Sequence, residues 1–74
     1  IWVSNFSKDY IETKPIHGSQ KIIDHGNRII EINVIPNKEL ISHILTYGND
    51  VEVLSPQFIR DEIRAILEDA LHKY

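Results

Sequence analysis

The period of apolar and polar positions changes several times along the chain, and each change marks an element. Ile1 to Phe6 gathers Ile, Trp, Val and Phe around Ser4 and Asn5, as a short strand would. Ser7 offers an N-cap hydroxyl for a brief helix over Lys8 to Thr13, and Lys14-Pro15 stops it, because the residue before proline is pushed out of the α region. Two β-branched runs follow, Lys21 to Ile23 and Ile29 to Ile35. They are joined by Asp24-His25-Gly26-Asn27, where Gly and Asn tolerate positive φ, so the pattern predicts a hairpin. Asn37 can cap a helix whose Leu40, Ile41, Ile44 and Leu45 form one apolar stripe, with Gly48 as its left-handed terminator. Val51 to Leu54 alternates as a fourth strand. Ser55-Pro56 then pairs an N-cap serine with proline at the first helical position. Behind it Ile59, Ile63, Ile66, Leu67, Ala70, Leu71 and Tyr74 recur at spacings of three and four to the chain end.

The order β-α-β-β-α-β plus a last helix predicts an α+β fold of the ferredoxin-like type, a four-stranded antiparallel sheet with a C-terminal helix. No repeat, low-complexity tract or linker divides residues 1–74, so one domain is expected. The third strand should turn Ile30, Ile32 and Val34 to one side and Ile29, Glu31, Asn33 and Ile35 to the other. The second set is half apolar, so either the C-terminal helix crosses it or another surface does, and these four residues are the candidate interface. On the last helix Arg64 with Glu68, and Asp69 with Lys73, stand at i, i+4 as ion pairs.

Seventy-four residues leave little room for a deep enclosed site, while 42% apolar and 26% charged residues place the chain among folding, globular sequences. Absence of cysteine removes disulfides, thiolate chemistry and Cys-based zinc, and fits a reducing compartment. No run of about 20 apolar residues is present to cross a bilayer, and Ile1-Trp2-Val3 is unlike a signal peptide. A soluble, cytoplasmic chain is expected. A first residue other than Met, followed at once by strand-like sequence, is what a piece of a longer chain would show. The net charge of −3 repels rather than gathers nucleic acid.

Candidate chemistry is sparse. His17, His25, His43 and His72 show no i, i+4 pairing on one helix and no ligand spacing, so no metal site is expected, and His17 is read as ordering a loop. Asn5 to Asp9 lacks a glycine-rich anion cradle, and Ser19 near His17 has no partner acid, so no catalytic residues and no cofactor are assigned. The third strand carries no aromatic residue for stacking RNA, and Trp2 is read as a core or interface anchor. Arg28, Arg60 and Arg64 are the candidate contacts for an anionic ligand, such as a nucleotide or single-stranded DNA, or for an acidic partner.

Several anchors stand in order: Pro15-Ile16-His17-x-Ser19-Gln20, Pro36-Asn37-x-Glu39-Leu40-Ile41, Leu45-x-Tyr47-Gly48-x-x-Val51-x-Val53-Leu54-x-Pro56, Arg60 and Tyr74. This pattern resembles the C-terminal extension (WCX) domain that follows the WYL domain in bacterial helix-turn-helix transcriptional regulators. The resemblance implies a non-catalytic accessory module that contributes to dimerisation and effector response. It also implies upstream WYL and DNA-binding domains in the same chain, with DNA held only by the latter. Trp2 does not correspond to the tryptophan of the WYL motif, so no ligand-binding residue of that domain carries over.

Overall fold

A computed structural model describes all residues, 1–74. The elements run β1 (Trp2–Val3), α1 (Lys8–Thr13), β2 (Lys21–Asp24), β3 (Ile29–Glu31), α2 (Lys38–Leu45), a 3-10 turn (Gly48–Asp50), β4 (Val51–Glu52) and α3 (Gln57–Leu71). The strands form one sheet in the order β2-β3-β1-β4, with every neighbouring pair antiparallel. This is the split β-α-β-β-α-β topology expected from the pattern, with α3 added.

Opposite residues in an antiparallel pair share a face. Val3 opposes Val51 and Ile22 opposes Ile30 on one face, and Trp2 opposes Ile29 and Glu52 on the other. The first face meets α1 through Ile11 and α2 through Ile41 and Ile44; these three with Val3, Ile30, Val51, Ile16, Val53 and Ile59 make the buried core, while Ile22 on the edge strand stays exposed. Asn37 caps α2 as expected, its Oδ1 accepting from the Leu40 N–H at 2.8 Å. Gly48 takes φ +58 where α2 ends and the chain turns toward β4.

The strands are shorter than the pattern suggests, because a strand needs a neighbour as well as a sequence. β3 ends at Glu31, opposite Lys21, where β2 begins. Beyond it the Asn33 N–H donates to Ser19 Oγ at 2.7 Å instead of to a strand. The alternation nonetheless persists in burial: Ile32 and Val34 are half-buried, while Asn33 and Ile35 are exposed.

Both serine caps require correction. Ser7 stands at the N-cap of α1 with near-helical backbone and no side-chain cap bond. Ser4 Oγ instead accepts from the Ser7 N–H at 3.2 Å and donates to Asp50 Oδ1 at 2.9 Å, tying the start of α1 to the turn before β4. α3 begins one residue later than expected, with Pro56 at the cap position and no side-chain cap bond, and it stops at Leu71. In the hairpin, positive φ falls on Arg28 (57°) and not on Gly26 or Asn27. A non-glycine residue there costs about 1–2 kcal/mol. Two contacts offset this: Arg28 Nε donates to the Val3 carbonyl at 3.0 Å, and its guanidinium lies 5.9 Å from the Trp2 ring centroid.

Candidate functional site

α3 carries the largest departure from a self-contained core. Its apolar stripe is continuous in sequence, yet only Ile59 is buried and Ile63 half-buried. Phe58, Ile66, Leu67, Leu71 and Tyr74 are exposed, Leu71 at 72% of its surface. The first two turns of the helix bury side chains against the body, and the later turns leave theirs exposed. A 15-residue helix is about 22 Å long. The radius of gyration is 12.3 Å, against about 11 Å for a compact chain of this length.

The exposed part is flanked by two open grooves. One, of about 440 Å³, lies over β4 and is lined by Ile44, Leu45, Val51, Val53, Ile63, Leu67 and Leu71, with Arg60, Arg64, Glu52 and Glu68 also on its walls. The other, of about 530 Å³, lies against α2 and is lined by Ile41, Leu45, Phe58, Ile59 and Ile66, with Pro36 and Lys38 at one end. Ile66 and Leu67 are about 100° apart on the helix, so they serve opposite grooves. α3 is thus an apolar ridge between two grooves of mixed lining, the α2 groove also carrying Asn37, Ser42 and Glu62.

The sheet face not used by the core is dressed rather than covered. Lys21 pairs with Glu31 at 3.1 Å, Arg28 lies over Trp2, and Arg60 Nη1 reaches Glu52 at 2.7 Å. The same Arg60 nitrogen donates to the Val53 carbonyl at 3.0 Å, occupying an acceptor beside the edge strand β4. Of the candidate interface residues, Ile29 is half-buried, Glu31 is paired, and Asn33 and Ile35 lie past the strand end, Ile35 with 86% of its surface exposed. α3 does not cross this face.

The three candidate arginines fall in two places. Arg60 and Arg64 share the β4 groove, and Arg64 Nε is paired with Glu68 at 3.1 Å. Arg28 lines a separate small cleft between α1 and the hairpin. The Asp69–Lys73 pair expected on α3 is formed, also at 3.1 Å.

His17 orders its loop. The Ser19 N–H donates to His17 Nδ1 at 3.1 Å, so Nδ1 is the acceptor and the Ser19 hydroxyl, 2.7 Å away, donates to it as well. No group of three or more His, Asp or Glu side chains is placed to hold a metal ion. Sequence reasoning missed Gln20, whose Oε1 accepts from the Ile16 N–H at 2.9 Å and whose Nε2 donates to the Ile11 carbonyl at 3.1 Å. A polar residue in a loop gives no local sign of this clamp. Tyr47 stacks on His43 (centroids 5.7 Å apart) and meets Tyr10 edge-on (6.3 Å). Burial, and secondarily the neighbouring Tyr10, push its phenol above the ordinary value. Asp24 is held below the usual carboxylate range, chiefly by the Asn27 side-chain amide and then by the Asn27 N–H.

The motif residues quoted above are therefore mostly structural: His17, Ser19 and Gln20 fasten a loop, Asn37 caps α2, Gly48 turns the chain, and Val51 and Val53 fill the core. None of them forms a catalytic constellation. No curated protein and no solved structure matches the chain significantly. The family model of the WCX domain matches residues 1–71. The chain belongs to the WCX domain family, regulatory and non-catalytic modules that occur in WYL-domain regulators.

Proposed function

We propose that this WCX domain acts by protein contact, contributing to dimerisation and to the effector response of a bacterial WYL-family transcriptional regulator. The observation that carries the reading is the exposed apolar ridge of α3 with its two grooves. A domain this small gains stability by burying such a ridge against another surface. A second copy is the simplest occupant, because a two-fold contact lets each ridge lie along a groove of the other copy. Ile35 adds an exposed apolar side chain next to Pro36 at the end of the α2 groove, and Ile29, Glu31 and Asn33 complete the proposed contact surface on the sheet side. Upstream WYL and helix-turn-helix domains of such a regulator would supply DNA binding, in the cytoplasm, in keeping with the net charge of −3 here.

Light scattering coupled to size exclusion, run on the chain from micromolar to millimolar concentration, tests the reading. A concentration-dependent dimer that Leu67→Ser with Leu71→Ser converts to a folded monomer is the expected result. A strict monomer throughout, or a dimer indifferent to the double substitution, would count against it.

A further inference from the structure

We propose a second site, unrelated to the α3 ridge: the cleft between α1 and the β2–β3 hairpin binds a small dianion of the phosphate type through Lys8, His25 and Arg28. The chain has eight Lys and Arg residues. Four of them, Lys21, Arg60, Arg64 and Lys73, are neutralised by carboxylates of the protein. Lys8 and Arg28 are not, and with His25 they line one cavity of about 30 Å³. Arg28 is already immobilised: its backbone is in the left-handed region, its Nε is fastened to the Val3 carbonyl, and its guanidinium rests on Trp2. Its two terminal nitrogens donate to no acceptor in the protein. A guanidinium fixed in this way recognises the oxygens of a phosphate at little entropic cost, and an ammonium beside it adds a mobile point charge.

The cavity walls strengthen the effect. Val3, Ile11 and Ile30, which line the cavity together with Lys8, His25 and Arg28, are buried, and attraction between charges grows where water is displaced. A single water needs about 10–15 Å³, so the cavity admits part of one compact anion. Any larger ligand keeps its body outside. Glu12 also lines the cleft and carries no ion-pair partner. Its carboxylate opposes an anion, which gives the site an internal control of opposite sign.

Titration of inorganic phosphate into the full chain, followed by calorimetry at constant ionic strength against chloride, tests the proposal. Saturable binding is expected, weakened about tenfold or more by Lys8→Gln or Arg28→Gln and strengthened several-fold by Glu12→Gln. Arg60→Gln and Arg64→Gln should leave it unchanged. A nucleoside 5′-monophosphate, run beside the unphosphorylated nucleoside, separates a phosphate ester from free phosphate as the natural source. Should Arg28→Gln unfold the hairpin, the opposed effects of Lys8→Gln and Glu12→Gln still decide. Absence of saturation, indifference to Lys8→Gln and Glu12→Gln, or equal loss in the Arg60 and Arg64 variants would overturn the site. Dimerisation is read separately, so failure of either proposal leaves the other measurable.

Discussion

Single side chains fasten this fold where regular elements do not reach. Gln20 spans from the end of α1 to the loop before β2 with both ends of one amide. Gln20→Ala would strip a donor and an acceptor from part-buried backbone groups, and a loss of about 1–2 kcal/mol in urea unfolding is expected. Asp24 holds the hairpin turn through Asn27, and that support requires its ionised form. Because its folded pKa is depressed, the stabilisation is present above the ordinary carboxylate range and is lost as pH falls through the depressed value. Asp24→Asn should therefore lower stability near neutrality and flatten the acid limb of the stability–pH curve. Tyr47 has the opposite sign. Its folded pKa is raised, so its contribution holds below about pH 10 and disappears as pH climbs through the folded value. A tyrosinate absorbance step above the ordinary range, absent from Tyr47→Phe, would show it.

Among the elements, α3 is divided in energetic terms although its sequence stripe is uniform. Ile59 sits in the core, and Ile59→Ala should cost about 2–5 kcal/mol, enough to unfold much of a small domain. Leu71 touches little of its own chain, so Leu71→Ser should change monomer stability by less than about 0.5 kcal/mol while weakening assembly. Thermal unfolding read beside light scattering distinguishes the two. The pattern of α3 was legible in the sequence, since a 3.6-residue period depends only on the helix itself. Which half of that stripe is buried was not, because burial depends on where Leu45, Val53 and Pro56 place the helix start. The strands show the same division. Ile29 to Ile35 alternates throughout, yet only Ile29–Glu31 is a strand, since its partner begins at Lys21.

For the whole molecule, the sheet order leaves β4 and β2 as edges and places both charge-dressed contacts, Arg60 on Glu52 and Lys21 on Glu31, at those edges. Charges at sheet edges discourage open-ended strand pairing, in keeping with the closed, two-fold contact proposed for the α3 ridge. Raising ionic strength should accordingly leave assembly of the chain intact or favour it, since the ridge is apolar. Phosphate binding at Lys8 and Arg28 should weaken, since screening acts on charge. Sedimentation and calorimetry across a salt series would separate the two surfaces.

The sequence alone determined the order and type of the elements, the ferredoxin-like topology, the Asn37 cap, the Gly48 turn and the family. All of these are written in local period, turn chemistry or motif spacing. Tertiary structure decided what depends on distant partners: where β3 stops, that positive φ falls on Arg28, that Arg60 is neutralised by Glu52 while Arg28 is not, and that half of α3 is left uncovered. The reason is one of range, because backbone preference acts over a few residues, whereas burial and charge pairing are settled by residues that meet only after the chain has folded.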